Sequence, residues 1–231
     1  MKNSILKNFV HKDSLEENLK LIAGTIDEKI VFSTSFGMED QAIIHAIFSQ
    51  KIKNIEVFTL DTGRLFPETY ELWNNTVLHY NASIKAYYPN TNKIETYVHA
   101  NGINSFYDSV SLRKECCNIR KVEPLNRALL GAKIWITGLR AEQSEGRNEH
   151  DVLEWDEHFQ VYKYNPLLHW TTTEVQEYIT KNNIPYNTLH DKNFVSIGCA
   201  PCTRAIKEGE NFRDGRWWWE DQSKKECGLH K

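Results

Sequence analysis

The chain has 231 residues, of which 40% are hydrophobic and 26% charged, and its formal net charge is −3 at pH 7. That length supports one large α/β domain without stabilising cross-links. Because positive side chains are scattered among negative ones rather than gathered in a basic run, we expect no nucleic-acid partner. No apolar run approaches the roughly 18 residues that span a bilayer, so we expect no membrane partner either.

The N-terminus and the cysteine count together indicate a cellular compartment. Residues 1–8 lack the apolar core of a secretory signal, and charged side chains follow closely. We therefore expect a cytoplasmic location, where thiols are kept reduced. In that compartment the five cysteines are more readily explained as metal ligands or reactive thiols than as disulfides, and the odd count favours a set of four plus one.

The first half of the chain alternates between buried strands and helices. Residues 29–33 predict a strand, and residues 39–50 predict a helix because their isoleucines recur at helical spacing. A second strand at residues 55–60 is followed by a helix that begins at Pro67, where the missing N–H costs nothing. Residues 83–88 predict a third strand.

The second half continues this alternation. Residues 113–130 predict a helix, and residues 132–137 predict a fourth strand. The sequence from Thr171 to Glu174 is typical of a capping box, which opens a helix that ends before Pro185. Strands that alternate with helices indicate the α/β class, with a mostly parallel sheet flanked by helices.

The last part of the chain has a different character. Residues 203–231 show no clear periodicity, but they contain Trp217, Trp218 and Trp219 in succession. These indoles either anchor a mobile C-terminal tail or simply pack. We therefore divide the chain into an α/β domain over residues 1–202 and a tail over residues 203–231.

Three polar loops follow predicted strands, at residues 33–40, 61–64 and 138–147. Because the carboxyl ends of parallel strands meet at one edge of a sheet, and ligands of α/β proteins bind there, we expect these loops to form one site.

Four of the cysteines occur as two closely spaced pairs, Cys116 with Cys117 and Cys199 with Cys202. Metal sites use such pairs because each supplies two ligands at little ordering cost. Neighbouring helical residues point about 100° apart, which is awkward for one tetrahedral zinc ion. The spacing therefore favours an iron–sulfur cluster over a structural zinc site, with unrelated buried thiols as the third interpretation.

The fifth cysteine, Cys227, lies in the sequence Glu-Cys-Gly-Leu-His. A thiolate is the nucleophilic form that sulfur chemistry requires, and His230 lies three residues away, within reach to stabilise it. An incidental exposed cysteine is the alternative.

A serine-rich turn from Ser33 to Gly37 lies between the first strand and the first long helix. Its hydroxyl and N–H groups suit a phosphate at the positive end of that helix, although a turn without a ligand fits equally well. It is not a Walker A loop, which needs Gly-Lys-Ser/Thr after its glycine-rich stretch.

With these motifs assembled, the chain resembles the assimilatory adenylyl-sulfate reductases, a family with the adenine-nucleotide α-hydrolase-like (PP-loop) fold. The matching motifs extend from Ser33 to His230. They are STSFGMED at residues 33–40, LDTGRLFPET at 60–69, CCNIRK at 116–121, GLR at 138–140, CAPC at 199–202 and ECGLH at 226–230.

The resemblance implies roles for individual residues. It implies a [4Fe-4S] cluster on Cys116, Cys117, Cys199 and Cys202, and a nucleophilic Cys227. It implies phosphosulfate contacts from Lys121, Arg140, Arg213, Arg216 and His230. It implies a nucleotide pocket lined by Ser33, Ser35, Thr62, Gly63 and Arg64.

The implied reaction reduces adenosine 5′-phosphosulfate to sulfite and AMP in sulfate assimilation. It would proceed through an S-sulfocysteine on Cys227 and would use a thioredoxin-like protein as reductant. The sequence leaves homo-oligomerisation open.

Three alternatives remain at this point. The substrate can instead be the 3′-phosphorylated nucleotide, although Glu39 and Asp40 resemble the non-phosphorylated branch. A zinc-stabilised nucleotide- or RNA-binding module would explain four cysteines but leaves Cys227 without a role. A tRNA-thiolating enzyme is less favoured, because the Ser-Gly-Gly-x-Asp-Ser loop of ATP pyrophosphatases is altered at Thr34, Ser35 and Gly37.

Overall fold

A six-stranded sheet forms the centre of the computed structural model, which describes residues 14–143 and 150–221. The spatial order of the strands is β3-β2-β1-β4-β6-β5. The predicted α/β class with a mostly parallel sheet is confirmed. The strands are β1 (Ile30–Thr34), β2 (Ile55–Leu60), β3 (Lys85–Tyr87), β4 (Ile134–Ile136), β5 (Leu153–Asp156) and β6 (Val161–Tyr164).

The α-helices accompany the sheet, and none in the described ranges is long and apolar enough to cross a bilayer. The capping box predicted at Thr171 is confirmed, because its hydroxyl accepts from the Glu174 N–H while the Glu174 carboxylate accepts from the Thr171 N–H. The α-helices are α1 (Leu15–Thr25), α2 (Met38–Ser49), α3 (Pro67–Tyr80), α4 (Thr91–Asn101), α5 (Val110–Cys117), α6 (Glu123–Leu129) and α7 (Thr172–Lys181).

Strands β1 and β4 form a buried parallel pair at the middle of the sheet. Ile30 lies opposite Ile134, and Phe32 lies opposite Ile136. All four side chains are at most 1% exposed. From β1 the chain moves to β2 and β3 on one side, and it later crosses to β4 on the other. The β1/β4 boundary is therefore the topological switch point, where α/β proteins bind ligands.

Internal contacts divide the chain into two compact units that interleave along the sequence. The predicted boundary between residues 202 and 203 stays a prediction. The first unit, which we call the sheet unit, comprises the described parts of Met1–Phe58, Glu68–Lys85 and Gly131–Asn187. The second, which we call the cysteine unit, comprises the described parts of Thr59–Pro67, Ala86–Leu130 and Thr188–Lys231.

The two units have different cores. An aliphatic core fills the sheet unit, with Ile43, Ile44 and Ile47 of α2 fully buried in it. In the cysteine unit, Phe106 and Trp217 pack with buried cysteine side chains. A core built from cysteine and aromatic groups gains less from aliphatic packing, so polar contacts and ligands matter more there.

Several features of the fold were not predicted from the sequence, among them the helices α1 and α4. The antiparallel pair β5–β6 was missed because β6 contains a charged residue, Lys163, where a buried strand normally has an apolar one. Lys163 is 1% exposed, and its ammonium group lies 2.7 Å from Glu154. The helix predicted at residues 113–130 is an α-helix, a π-helical turn and a second α-helix, and it begins earlier, after the N-cap Ser109.

Candidate functional site

The structure brings the two predicted cysteine pairs together in one pocket of the cysteine unit. Cys117, Cys199 and Cys202 are each 8% exposed, Cys116 is half-buried, and no disulfide joins these four residues. The empty volume of the pocket is about 320 Å³. Its lining consists of Arg64, Phe106, Arg113, Cys116, Cys117, Arg120, Lys121, Cys199, Pro201 and Cys202.

Local backbone geometry explains how each pair is presented. Helix α5 ends at Cys117 and continues as a π-helical turn over Asn118–Val122. Such wide turns are frequently found at functional sites. Here the turn directly follows the vicinal cysteines. The second pair lies on a short 3₁₀ turn, in which the Cys202 N–H donates to the Cys199 carbonyl at 2.9 Å.

The loop after β2 supports the second pair. Gly63 has a φ of +69°, which favours glycine, and its N–H donates to Asp61 Oδ1 at 2.8 Å. This turn directs Thr62 toward the cysteines, with Oγ1 lying 3.3 Å from Cys199 Sγ. The Arg64 carbonyl accepts from the Ala200 N–H at 2.8 Å. The predicted pocket residues Thr62, Gly63 and Arg64 therefore adjoin the cysteines.

Cationic side chains surround the same pocket. Arg120 is 9% exposed, and its Nη1 donates to the Thr62 carbonyl at 2.6 Å. Arg216 is 7% exposed, and its guanidinium carbon lies 4.7 Å from the centroid of the Trp217 ring. It also packs so closely on Gly198 that a Cβ there would collide with the guanidinium. The site is therefore strongly positive before any ligand binds.

These cations act unequally on the thiols. Burial disfavours the Cys199 thiolate, but Lys121, the Thr62 hydroxyl, Arg216 and Arg120 outweigh that effect and lower the pKa of Cys199. Burial raises the pKa of the half-buried Cys116. For Cys202, burial and the neighbouring Cys199 raise the pKa to about 12. Burial thus opposes ionisation of Cys116 and Cys202, and a metal group bound by these thiols would have to displace their protons.

Two buried donors in the cysteine unit fit an anionic sulfur cluster. Among the residues that the structure describes, neither Arg120 Nε nor the Trp217 indole Nε1 has a hydrogen-bond acceptor, and both are buried. Leaving such donors unsatisfied costs about 1–3 kcal/mol each, and cluster sulfurs are acceptors that would remove that cost. Within residues 14–143 and 150–221, no group of three or more His, Cys, Asp or Glu side chains is arranged for a single metal ion. A four-iron cluster takes one thiolate per iron, and the four pocket cysteines would supply that number of donors.

The serine loop of the sheet unit is closed by a carboxylate. Asp40 Oδ2 accepts from the Ser35 N–H at 2.5 Å and from the Ser35 hydroxyl at 2.7 Å. Ser33 Oγ accepts from the Trp135 indole at 2.8 Å. Gly138, after β4, lies so close that a Cβ there would collide with Asp40 Oδ1. The loops after β1 and β4 therefore meet at the switch point. For these two of the three loops, this agrees with the predicted common site.

Arg140 lies in a buried ion-pair network of the sheet unit and is 1% exposed. Its Nε donates to Glu39 Oε1 at 2.8 Å, and its Nη1 donates to Glu142 Oε2 at 2.7 Å. Its Nη2 donates to the Thr172 hydroxyl at 3.1 Å. Every guanidinium nitrogen thus has a protein acceptor. Contact with substrate would require the half-exposed Glu142 to give up its place.

The predicted residues are distributed over the two units. The sheet unit holds Ser33, Ser35 and Arg140. The cysteine unit holds Thr62, Gly63, Arg64, Lys121, Arg213 and Arg216 with the four pocket cysteines. The predicted nucleophile Cys227 and His230 lie outside the described residues.

Sequence reasoning missed several residues that shape these sites. Arg113 and Arg120 both line the cysteine pocket, and Asp40 closes the serine loop. Arg113 precedes Cys117 by four residues, and that spacing places two residues on the same helix face. This spacing was the one feature of the sequence that could have placed Arg113 near the cysteines. Its burial could not be predicted, because a buried arginine depends on a partner that the sequence does not identify.

The comparison with protein families gives the class of this protein, and it agrees with the fold and with the cysteine pocket. The family model described as the phosphoadenosine phosphosulfate reductase domain matches residues 29–205. The chain therefore belongs to that family.

Curated relatives place the chain more closely within the family. The chain is 50% identical over 204 residues to the adenosine 5′-phosphosulfate reductase of Allochromatium vinosum, a match that covers 88% of this chain and 79% of the relative. It is 46% identical over 220 residues to the protein of the same name from Neisseria meningitidis (strain Z2491), covering 95% and 89%.

Solved structures agree with the fold. The phosphoadenylyl-sulfate reductase of Candida auris, in a phosphate complex, superposes with a TM-score of 0.73 at 28% identity, covering 88% of this chain and 95% of that one. A Candida glabrata FMN adenylyltransferase gives 0.54 at 15% identity, covering 90% and 76%. This second likeness concerns the fold alone, and it agrees with the expected PP-loop architecture.

The carboxyl group of Asp40 gives the sheet unit a pH-dependent stability. Burial raises its pKa from 3.8 to about 7, although the Ser35 hydrogen bonds oppose the shift. Between these two values the folded chain binds a proton that the unfolded chain has lost, so stability falls as pH rises through this window. We expect the total loss to be about 4 kcal/mol at most.

An Asp40→Asn variant should lose that dependence. Urea unfolding at several pH values between 4 and 8 measures the free energy of unfolding. The free energy of unfolding of the variant should increase relative to that of the wild type as pH rises. Asp27 is exposed, so Asp27→Asn should reproduce the wild-type slope. Parallel curves for wild type and Asp40→Asn would contradict the assignment.

Proposed function

We propose that the chain reduces adenosine 5′-phosphosulfate to sulfite and AMP. The observation that supports it most is the pocket in which two cysteine pairs are enclosed by Arg120, Lys121 and Arg216. Cations beside a sulfur-rich site suit an anionic phosphosulfate, because guanidinium groups bind oxyanions bidentately and lysine supplies a compact charge. Membership of a sulfonucleotide reductase family agrees with this substrate class.

We further propose that Cys116, Cys117, Cys199 and Cys202 hold a [4Fe-4S] cluster. When bound, it would place an additional charged group beside the cations and so adjust the electrostatic field at the pocket. The chain's own contribution is to orient the cations that surround it. Thr62 and Cys202 supply carbonyl acceptors to Arg120 and Arg216, at 2.6 Å and 3.4 Å.

In the proposed first step, the Cys227 thiolate attacks the sulfate sulfur. A sulfur–sulfur bond forms, the bond from that sulfur to the phosphate oxygen breaks, and AMP departs with the electron pair. Cationic groups stabilise charge on the leaving phosphate, and one such oxyanion donor typically contributes about 2.7–4 kcal/mol. Cys227 is left as an S-sulfocysteine.

In the proposed second step, a thioredoxin-like dithiol supplies two electrons. Its first thiolate attacks Cys227 Sγ, and sulfite leaves with the electrons of the sulfur–sulfur bond. Its second thiol then closes a disulfide in the reductant and returns the Cys227 thiolate. This cycle needs reduced thiols, which is the reason we propose the cytoplasm as its location.

A Cys227→Ser variant tests the nucleophile. It should release no sulfite above background and form no covalent adduct with substrate, because a serine hydroxyl is a far weaker nucleophile than a thiolate at neutral pH. Mass spectrometry of the protein after a single turnover without reductant measures the adduct. Sulfite release at the normal rate would contradict the scheme.

Metal analysis tests the cluster. The purified chain should contain about four iron and four sulfide ions per molecule and absorb visible light. Single Cys199→Ser and Cys116→Ser variants should lose most of both. The Cys227→Ser variant is the matched control and should keep them. A colourless protein that contains zinc would instead favour the nucleotide- or RNA-binding module.

Substrate preference tests the choice between the two sulfonucleotides. We expect a higher kcat/KM for adenosine 5′-phosphosulfate than for its 3′-phosphorylated form, because Glu39 and Asp40 after the serine loop resemble the non-phosphorylated branch and the similar proteins described above carry the name of that activity. Steady-state kinetics with both nucleotides and one reductant measures the ratio. A preference for the 3′-phosphorylated nucleotide would support the alternative substrate.

A further inference from the structure

The cysteine unit contains an ion pair that none of the predicted roles explains. Arg113 of α5 is 0% exposed, and the Glu220 side chain is 4% exposed. Arg113 Nε donates to Glu220 Oε1 at 3.0 Å, and its Nη2 donates to Glu220 Oε2 at 2.7 Å. This two-point geometry fixes both side chains in direction as well as distance. It joins segments 107 residues apart in the sequence.

The same guanidinium group also packs on the residue that turns the chain toward Glu220. Its central carbon lies 4.7 Å from the centroid of the Trp217 ring. Trp217 is 1% exposed, and its N–H donates to the Cys202 carbonyl at 3.2 Å. It has a φ of +42°, a conformation that a bulky residue keeps only when its surroundings impose it. Arg113, Glu220 and Cys202 together supply those surroundings.

Arg113 also belongs to the cysteine site. It lines the pocket and precedes Cys117 by one helical turn. One buried side chain therefore contacts the residues that surround the cysteines and the segment that leads toward Cys227.

Stability alone is a weak reason for such a pair. Burying two charges costs about as much as their attraction returns, and well-packed apolar replacements are often as stable. What an apolar contact lacks is the fixed direction of two parallel hydrogen bonds. The half-buried pair of Arg204 and Glu210, whose side chains are 29% and 26% exposed, lies in the same stretch of chain, and neither residue is among those that line the pocket in the described structure.

We propose that the Arg113–Glu220 ion pair is a positioning device that anchors residues 217–220 to the cysteine-bearing helix and thereby sets the starting point of the segment that carries Cys227. The inference rests on the proposed function of Cys227. Cys227 lies seven residues beyond Glu220 in the sequence. Its thiol can therefore reach at most about 25 Å from this anchor.

Without the pair, the nearest remaining backbone anchor among the described residues is Trp217, whose N–H donates to the Cys202 carbonyl. The number of residues from the anchor to Cys227 then rises from seven to ten. An effective concentration that falls roughly as the −3/2 power of tether length drops about 1.7-fold with this change. Misdirected approach adds to this, since a displacement of about 1 Å can cost about 10²-fold in rate.

The test is the rate of Cys227 S-sulfonation in a single turnover, followed by mass spectrometry on the iron-loaded full chain. Glu220→Gln removes the charge and keeps the size of the side chain, and it should lower this rate at least about 1.7-fold. AMP affinity and iron content should stay at wild-type values. Glu220→Asp, which restores the charge, should recover part of the rate. Glu210→Gln is the matched control and should behave as wild type.

Glu220→Gln leaves Arg113 buried without a counter-charge, and this alone can destabilise the fold. A second variant therefore separates a loss of folding from a loss of positioning. The double variant Arg113→Met with Glu220→Met removes both charges and keeps the volume, and it should fold, bind iron and react as slowly as Glu220→Gln. Wild-type rates in both variants would overturn the inference. So would a loss of rate that only follows a loss of iron. If no variant and no wild-type protein forms an adduct on Cys227, the proposed function itself fails.

Discussion

Several thiol groups that are buried together can lose their protons only when positive charge is buried near them. This constraint organises the cysteine unit. The pKa of Cys202 is raised to about 12 by burial and by its neighbour Cys199, so the site opposes its own ionisation. Lys121 and Arg216 act in the other direction and lower the pKa of Cys199. The same cations suit an anionic substrate, so cysteine burial and substrate attraction share one set of charges.

Each buried cation needs a fixed partner, and those partners explain much of the local backbone. Arg120 donates to the Thr62 carbonyl. The Arg216 guanidinium packs so closely on residue 198 that only glycine fits there. Arg113 is neutralised by Glu220. The turn after β2 and the segment up to Glu220 are thereby held against the cysteines by polar contacts more than by aliphatic packing.

The sheet unit differs from the cysteine unit because it buries negatively charged groups. Asp40 is enclosed at the switch point, and burial raises its pKa to about 7, while Glu39 is neutralised by Arg140. The hydrogen-bond donors of Ser35 are already engaged with Asp40. A loop whose N–H and hydroxyl donors already bind a carboxylate of the same chain differs from the phosphate-binding loops of ATP-cleaving enzymes. This agrees with a nucleotide whose reactive bond is broken at sulfur.

The sequence by itself determined the α/β class, the order of most strands and helices, the capping box at Thr171 and the pairing of the cysteines, because these depend on local periodicity and spacing. Tertiary structure alone decided that Lys163 lies in a buried strand, that Arg140 donates to two carboxylates and that Arg113 meets Glu220. Burial of a charged side chain depends on a partner far away in the chain. No local pattern identifies that partner, because the free energy of the pair exists only once folding has brought the two charges together.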